Sequence, residues 1–231
     1  MMEFKNLIQS FQEMFSNPPA YLVTSLGIML FIGLFAFFTG RKIEQTDVKS
    51  KPNKLLTVVI LGIGGFNKFV KGYVGKQWTF ITPIVLTMAI YVFLSNISGV
   101  IALEAPTKYT AITFSMSLLS FIVVQATGII SVGMKHFLGI FKPLWPMFPL
   151  NLVSEFVPIL SMALRLFGNI AGGALILALI YSITGWAGFI VTPAFHAIFD
   201  IGFGFIQTIV IVLLTVIFAA MKVDEADLEI N

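Results

Sequence analysis

The sequence predicts an all-α integral membrane protein: five transmembrane helices plus one amphipathic helical segment lying on the membrane surface. Composition carries the class, because 58% of the 231 residues are hydrophobic and only 11% are charged. Mean hydropathy is +0.96, beyond what a soluble core requires. Charge layout carries the topology. Eight of the fourteen basic residues fall between Gly40 and Trp78, the uneven distribution of a positive-inside membrane protein and not a nucleic-acid stripe. A chain of this length holds five or six spans of about 20 residues with short loops, so 1–231 reads as a single membrane domain.

The first span is 21–39, since Tyr21 to Thr39 runs nineteen residues without a charge. It ends on Gly40-Arg41-Lys42 without the flanks of a cleaved signal peptide, and is expected to remain as an anchor. The loop 41–54 carries Arg41, Lys42, Lys49, Lys51 and Lys54 against Glu44 and Asp47, which places it in the cytoplasm and the N-terminus outside. In 55–76 apolar residues mix with Lys68, Lys71 and Lys76, and the uncharged part is too short to span. This segment reads as a helix or helical hairpin along the inner surface, with a short tilted span as the alternative; Gly62-Ile63-Gly64-Gly65 marks a bend.

The second span, 79–103, is interrupted only by Pro83 and by Ser95, Asn96 and Ser98, and crosses outward. Glu104, Pro106 and Lys108 form the outer turn, and 110–134 returns toward Lys135, His136 and Lys142. Gln125 in that span reads as a helix-to-helix hydrogen bond. Between Pro143 and Met221 only Glu155, Arg165 and Asp200 are formally charged. Gly185, Trp186, Gly188, Thr192 and Pro193 break the run into two long helices, 150–184 and 190–221, joined on the outer face. The tail, 222–231, is acidic and is expected to be solvated in the cytoplasm.

Function concentrates in those two helices. Arg165 stands inside the otherwise apolar or small run Ser161 to Gly173, SMALRLFGNIAGG. A guanidinium stays charged when buried, at a cost of at least ~2.5 kcal/mol in hydrocarbon, so it must serve something. Ser161, Arg165 and Asn169 are spaced four apart and share a face. On the last helix His196, Asp200, Gly204 and Gln207 recur at four, four and three, again one face. The structural alternatives are a static Arg165–Asp200 ion pair, close packing at Gly168 and Gly172, a helix-end role for His196 and a first-turn acid at Glu155.

No GxxxxGK[ST], GxSxG or HExxH occurs, so nucleotide, serine-hydrolase and zinc-protease chemistry lack their parts. With no cysteine and two histidines, neither a metal site nor a cofactor is expected.

The run Leu164-Arg165-Leu166-Phe167-Gly168-Asn169, with Ser154-Glu155-Phe156 before it and Gln207 after it, resembles the signature of the a subunit of F-type ATP synthases. Leu94-Ser95-Asn96, Pro106-Thr107 and Pro52 to Lys54 resemble weaker landmarks of that family. The resemblance implies an ion-translocating, most simply proton-translocating, stator subunit with no nucleotide chemistry of its own. Its last two helices would be tilted against a rotor ring of c subunits, to which the stator offers two offset half-channels. Arg165 would face the rotor carboxylate, Asn169 and Gln207 would line its surroundings, Asp200 would relay ions in the outer half-channel, and Glu155 with Ser161 would lie toward the inner exit. Ala174 stands where the family often has an acid or histidine, so the outer route would rely on Asp200 with His196 nearby. Tyr109 and Ala111 make the outer vestibule less polar than is usual. The implied partners are the c-subunit ring, the b-subunit peripheral stalk, the rest of the synthase and membrane lipid, with no nucleic acid. The implied location is the bacterial plasma membrane, or less readily an organellar inner membrane. A reading from another class is a stand-alone secondary transporter using Arg165 and Asp200, although the two halves show no similarity; a third is a purely structural assembly subunit.

Overall fold

The computed structural model describes residues 18–45, 54–101, 103–133, 148–185, 195 and 201–228. Every described element is helical: α1 (Ala20–Glu44), α2 (Lys54–Val74), α3 (Trp78–Ile97), α4 (Thr110–Val132), α5 (Phe148–Thr184), α6 (Gly204–Ala220) and the short α7 (Glu225–Leu228), with 3-10 turns at Gly75–Gln77, Ser98–Ile101 and Pro106–Lys108. Among the described residues four helical stretches are long and apolar enough to cross a membrane: Ala20–Glu44, Lys54–Ile97, Thr110–Val132 and Ile201–Ala220. In addition α5 runs for 37 residues, about 55 Å at 1.5 Å per residue.

The bundle is organised around α6, which packs against α3, α4 and α2, while α5 lies on α4 and on the outer turn Pro106–Lys108 and α1 lies on α3. Val70 and Val74 of α2, Ile81, Val85 and Val92 of α3, Val123 of α4, and Ile211 and Val216 of α6 are almost wholly buried. Leu30, Phe38, Ile130 and Ile206 are more than half exposed, the inverse of a soluble protein's surface and the arrangement that lipid favours.

Packing between α4 and α6 rests on small hydroxyl residues. Thr113, Ser117, Ser120, Thr127 and Ser131 follow one another at four, three, seven and four, which is one face of a helix. The first four are at most 1% exposed. Small side chains let helix backbones approach closely where no hydrophobic force separates helix from lipid. Each hydroxyl is satisfied: Ser120 Oγ pairs with Thr215 Oγ1 of α6 at 2.6 Å, and Thr113, Ser117 and Thr127 donate to the carbonyls of Thr110, Thr113 and Val123.

The N-terminal half of α1 is fastened by a buried hydrogen bond between Ser25 Oγ and Tyr91 Oη at 2.7 Å and by stacking of Tyr21 on Tyr109, with ring centroids 3.8 Å apart. Beyond the predicted end of the span at Thr39 the helix continues to Glu44. Arg41 and Lys42 therefore occupy its last turn, where cations complement the helix dipole, and the Arg41 guanidinium lies over the Phe37 ring, 4.9 Å from its centroid. Residues 46–53 of the predicted loop lie outside the described residues.

The bend expected at Gly62-Ile63-Gly64-Gly65 does not occur: α2 runs through these positions as one helix of 21 residues, without a hairpin. Interior glycines cost about 1 kcal/mol each relative to alanine but do not by themselves break a helix. The chain turns instead at Gly75, whose φ of 55° lies in the left-handed region. The last of the long helices is described from Ile201, opens with a π turn at 201–203 and ends at Ala220; residues 190–194 and 196–200 of the predicted 190–221 helix lie outside the described residues.

Of the acidic tail expected to be solvated, residues 222–228 are described, and Asp224 and Asp227 are held by hydrogen bonds. The Asp227 carboxylate accepts from Ser131 Oγ at 2.6 Å and from Gln77 Nε2 at 3.1 Å, and the backbone N–H of Asp224 donates to Ser131 Oγ at 2.9 Å. A Cβ placed on Gly75 would overlap the Asp227 carbonyl oxygen, so only glycine fits between the α2–α3 turn and α7. The clasp joins the end of α4, the α2–α3 turn and the segment after α6.

Two outcomes follow. Gly75→Ala should lose at least ~1–2 kcal/mol from the left-handed backbone alone and should release α7, read as faster carboxypeptidase digestion of the tail. The hydrogen bonds from Ser131 and Gln77, with a smaller contribution from Lys76, hold the Asp227 carboxyl below its ordinary 3.8. Its stabilisation is therefore present above that ordinary value and is lost as pH falls through the lower folded one. The difference in thermal stability between wild type and Asp227→Asn should shrink as the pH is taken down through this window.

Candidate functional site

Glu155, Ser161, Arg165 and Asn169 all lie within α5. The steps from Ser161 to Arg165 and from Arg165 to Asn169 are each about 6 Å along the axis, and Glu155 is about 15 Å from Arg165. Ser161 is half-buried, as are Gly172 and Gly173 farther along. Beside this stripe α5 presents an uncovered apolar face: Val153, Val157, Leu160, Leu164, Leu175 and Leu179 are each more than half exposed. Their spacings of four, three, four, eleven and four keep them on one side of the helix. Leu164, the residue before Arg165, is 60% exposed. The register of α5 on α4 is marked by Phe121 and Phe156, stacked with centroids 5.6 Å apart.

Gln207 is 2% exposed and lies on the face of α6 that also carries Gly204, Ile211 and Thr215. That face packs into the bundle: Thr215 meets Ser120 of α4, and Gly204 meets Asn96 of α3. A Cβ on Gly204 would stand 2.6 Å from Asn96 Cβ, so α3 and α6 cross too closely here for any side chain at position 204. Asp200 and His196 lie outside the described residues.

The structure adds polar groups that the sequence reading treats only as interruptions of a span or as family landmarks. Asn96 Oδ1 accepts from Thr107 Oγ1 at 2.9 Å, tying α3 to the outer turn. Asn96 Nδ2, Ser95 Oγ and Thr82 Oγ1 are buried with no hydrogen-bond partner among the described residues. At the same end Tyr109 donates to the Glu104 carboxylate at 3.1 Å. That bond, together with the nearby negative charge, raises the Tyr109 pKa above its ordinary 10.0, so the phenol is neutral in the physiological range. The hydroxyl stripe of α4 was open to sequence reading through its helical spacing. Nothing in the spacing of Ser95 and Asn96 says which helix they meet.

The family described as ATP synthase A chain matches residues 21–220. The chain belongs to that family. ATP synthase subunit a of Desulfotalea psychrophila is 29% identical over 224 residues, covering 94% of this chain and 89% of that protein. The subunit a of Sulfurimonas denitrificans is 30% identical over 193 residues, covering 80% and 84%, and that of Mycoplasmoides gallisepticum is 26% identical over 238 residues, covering 91% and 80%. The matched family range takes in α1 from Tyr21 and the whole of α2 to α5, and ends with α6. The family is a component of the ATP synthase membrane sector, in keeping with the apolar helices found here.

Within the family fold, the Gly204 crossing fixes where α6 meets α3. Gly204→Ala should force the two helices apart at a cost of about 1–3 kcal/mol, seen as a lowered melting temperature or reduced recovery of the assembled complex. Asn96→Ala, which keeps the opposing Cβ, should not relieve that defect.

Proposed function

We propose that this chain is the ion-translocating stator subunit of a rotary ATP synthase. In this reading five spans, α1, α3, α4, α5 and the helix containing α6, hold the chain in a bacterial plasma membrane, with the N-terminus outside, the C-terminus in the cytoplasm and α2 along the inner surface. The subunit offers two offset half-channels to the c-ring and is held by the b-subunit stalk; nucleotide chemistry resides on other subunits. Protons are the simplest ion for this role.

Family membership supports the reading most directly. The observation that carries the assignment to α5 is its uncovered apolar face beside Arg165. A helix of about 55 Å exceeds a hydrocarbon core of about 30 Å, so α5 lies strongly tilted if it stays within the bilayer, presenting that face across a broad front. A fixed guanidinium there favours the ionised form of each rotor carboxylate arriving beside it, promotes release of its ion and blocks leakage between the half-channels. Asn169 and Gln207 are assigned to the surroundings of Arg165, Asp200 with His196 to the outer half-channel, and Glu155 with Ser161 to the inner exit. The unpartnered buried atoms of Ser95 and Asn96 offer further polar surface toward the outer side. Each unit charge crossing the field yields ~2.3 kcal/mol per 100 mV, so several must pass for each ATP made.

The test is ATP synthesis by the whole complex in liposomes under an imposed potential and pH gradient. Arg165→Ala should abolish synthesis while the complex remains assembled; failure to assemble would instead favour a structural ion pair, and synthesis near the wild-type rate would remove Arg165 from the mechanism. Asp200→Asn should slow proton entry, and normal ATP-driven pumping in that variant would refute the relay.

A further inference from the structure

We propose that the side of α2 bearing Lys68 and Lys71 binds the headgroups of anionic phospholipids in the inner leaflet. The inference deepens the reading of α2 as a surface-lying helix and rests on it.

From Lys54 to Gln77 the chain contains no acidic residue. At 3.6 residues per turn α2 has three sides. One carries Leu56, Val70 and Val74, which are 6%, 0% and 0% exposed and seat the helix on the bundle. A second carries Leu55, 78% exposed, and Tyr73, 42% exposed. The third carries Gly64, Lys68 and Lys71, all exposed. Val58 and Leu61, each 68% exposed, lie between the last two sides. Neither Lys68 nor Lys71 has an ion-pair partner among the described residues, and no atom lies within 4 Å of a Cβ built on Gly64, Gly65 or Gly72.

This chain therefore leaves apolar surface and ammonium groups uncovered side by side on one helix. Apolar side chains seek hydrocarbon, and uncompensated lysines seek anions. Water satisfies only the lysines, and a neutral bilayer satisfies the leucines while leaving the lysines without counter-charge. An anionic leaflet surface satisfies both at once, with acyl chains against Leu55, Val58 and Leu61 and phosphate groups against Lys68 and Lys71. The bare backbone at Gly64 and Gly72 lets a headgroup approach beside Lys68 without a side chain in the way. Attraction of this kind is worth about five-fold in local lipid enrichment per lysine and fades with salt.

The experiment uses the assembled synthase with its native cysteines replaced; this chain contributes none. Leu61→Cys, seven residues before Lys68 and on its side of the helix, carries a bimane fluorophore. The complex is placed in phosphatidylcholine liposomes containing equal mole fractions of brominated phosphatidylglycerol or brominated phosphatidylcholine. Quenching by the anionic lipid should exceed that by the neutral one several-fold at low salt. The excess should fall to about one in Lys68→Gln/Lys71→Gln and should persist in Lys68→Arg/Lys71→Arg. Equal quenching by the two lipids in the parent, or an excess that survives the double Gln substitution, overturns the headgroup site while leaving α2 in the membrane. No quenching by either lipid overturns the surface placement of α2 itself. None of these outcomes bears on Arg165, whose variant is read by ATP synthesis.

Discussion

Hydrocarbon cannot solvate a polar group, and much of the architecture follows from that constraint. Backbone groups meet it by helix formation throughout the described chain. Several side chains meet it in pairs or against their own backbone, namely Ser120 with Thr215, Ser25 with Tyr91, and Thr113, Ser117 and Thr127 with carbonyls of the preceding turn, while Thr82, Ser95 and Asn96 each keep a buried polar atom without a partner among the described residues. Because those hydroxyls are small and internally satisfied, α4 and α6 come together without a large apolar interlock. The contact depends on shape and a few hydrogen bonds, which is how helices associate in lipid.

The two long helices of the polar region live in different surroundings. α6 is enclosed on the side that carries Gly204, Gln207, Ile211 and Thr215 and is braced by α2, α3 and α4. α5 is supported by α4 and the outer turn, yet leaves a row of leucines and valines uncovered over most of its length. An enclosed helix suits a fixed wall. The uncovered face of α5 is the one that the proposed function turns toward a partner.

Much of this fold is legible in the residues. The charge-free runs at 21–39, 79–103 and 110–134 and the predicted helix 150–184 overlap α1, α3, α4 and α5, although α1 runs on to Glu44 and α3 gives way to a 3-10 turn after Ile97. The stripe of Ser161, Arg165 and Asn169 follows from helical periodicity alone, and the helix that carries it is present. What periodicity does not carry is partnership between elements far apart in sequence. The glycines at 62, 64 and 65 suggest a break by composition, whereas the break comes at Gly75, whose φ is left-handed and beside which the carbonyl of Asp227 leaves no room for a Cβ. Likewise an acidic tail reads as solvated until Ser131 and Gln77 are seen to hold it. The Gly204 crossing and the orphaned atoms of Ser95 and Asn96 depend on which helices become neighbours, which local pattern does not specify.

The Asp227 clasp also sets an order of events in time. Gln77 and Asp227 are 150 residues apart, and at synthesis rates of about 5–20 residues per second that separation corresponds to a delay on the order of ten seconds. During that interval α2 and α3 are already made and α4 is entering the membrane, but the turn between α2 and α3 has no cover and Ser131 has no acceptor at Asp227. The contacts that Asp227 makes with Gln77 and Ser131 are therefore among the last that the growing chain can form. The clasp thus ties the segment made last to the α2–α3 turn and to the end of α4.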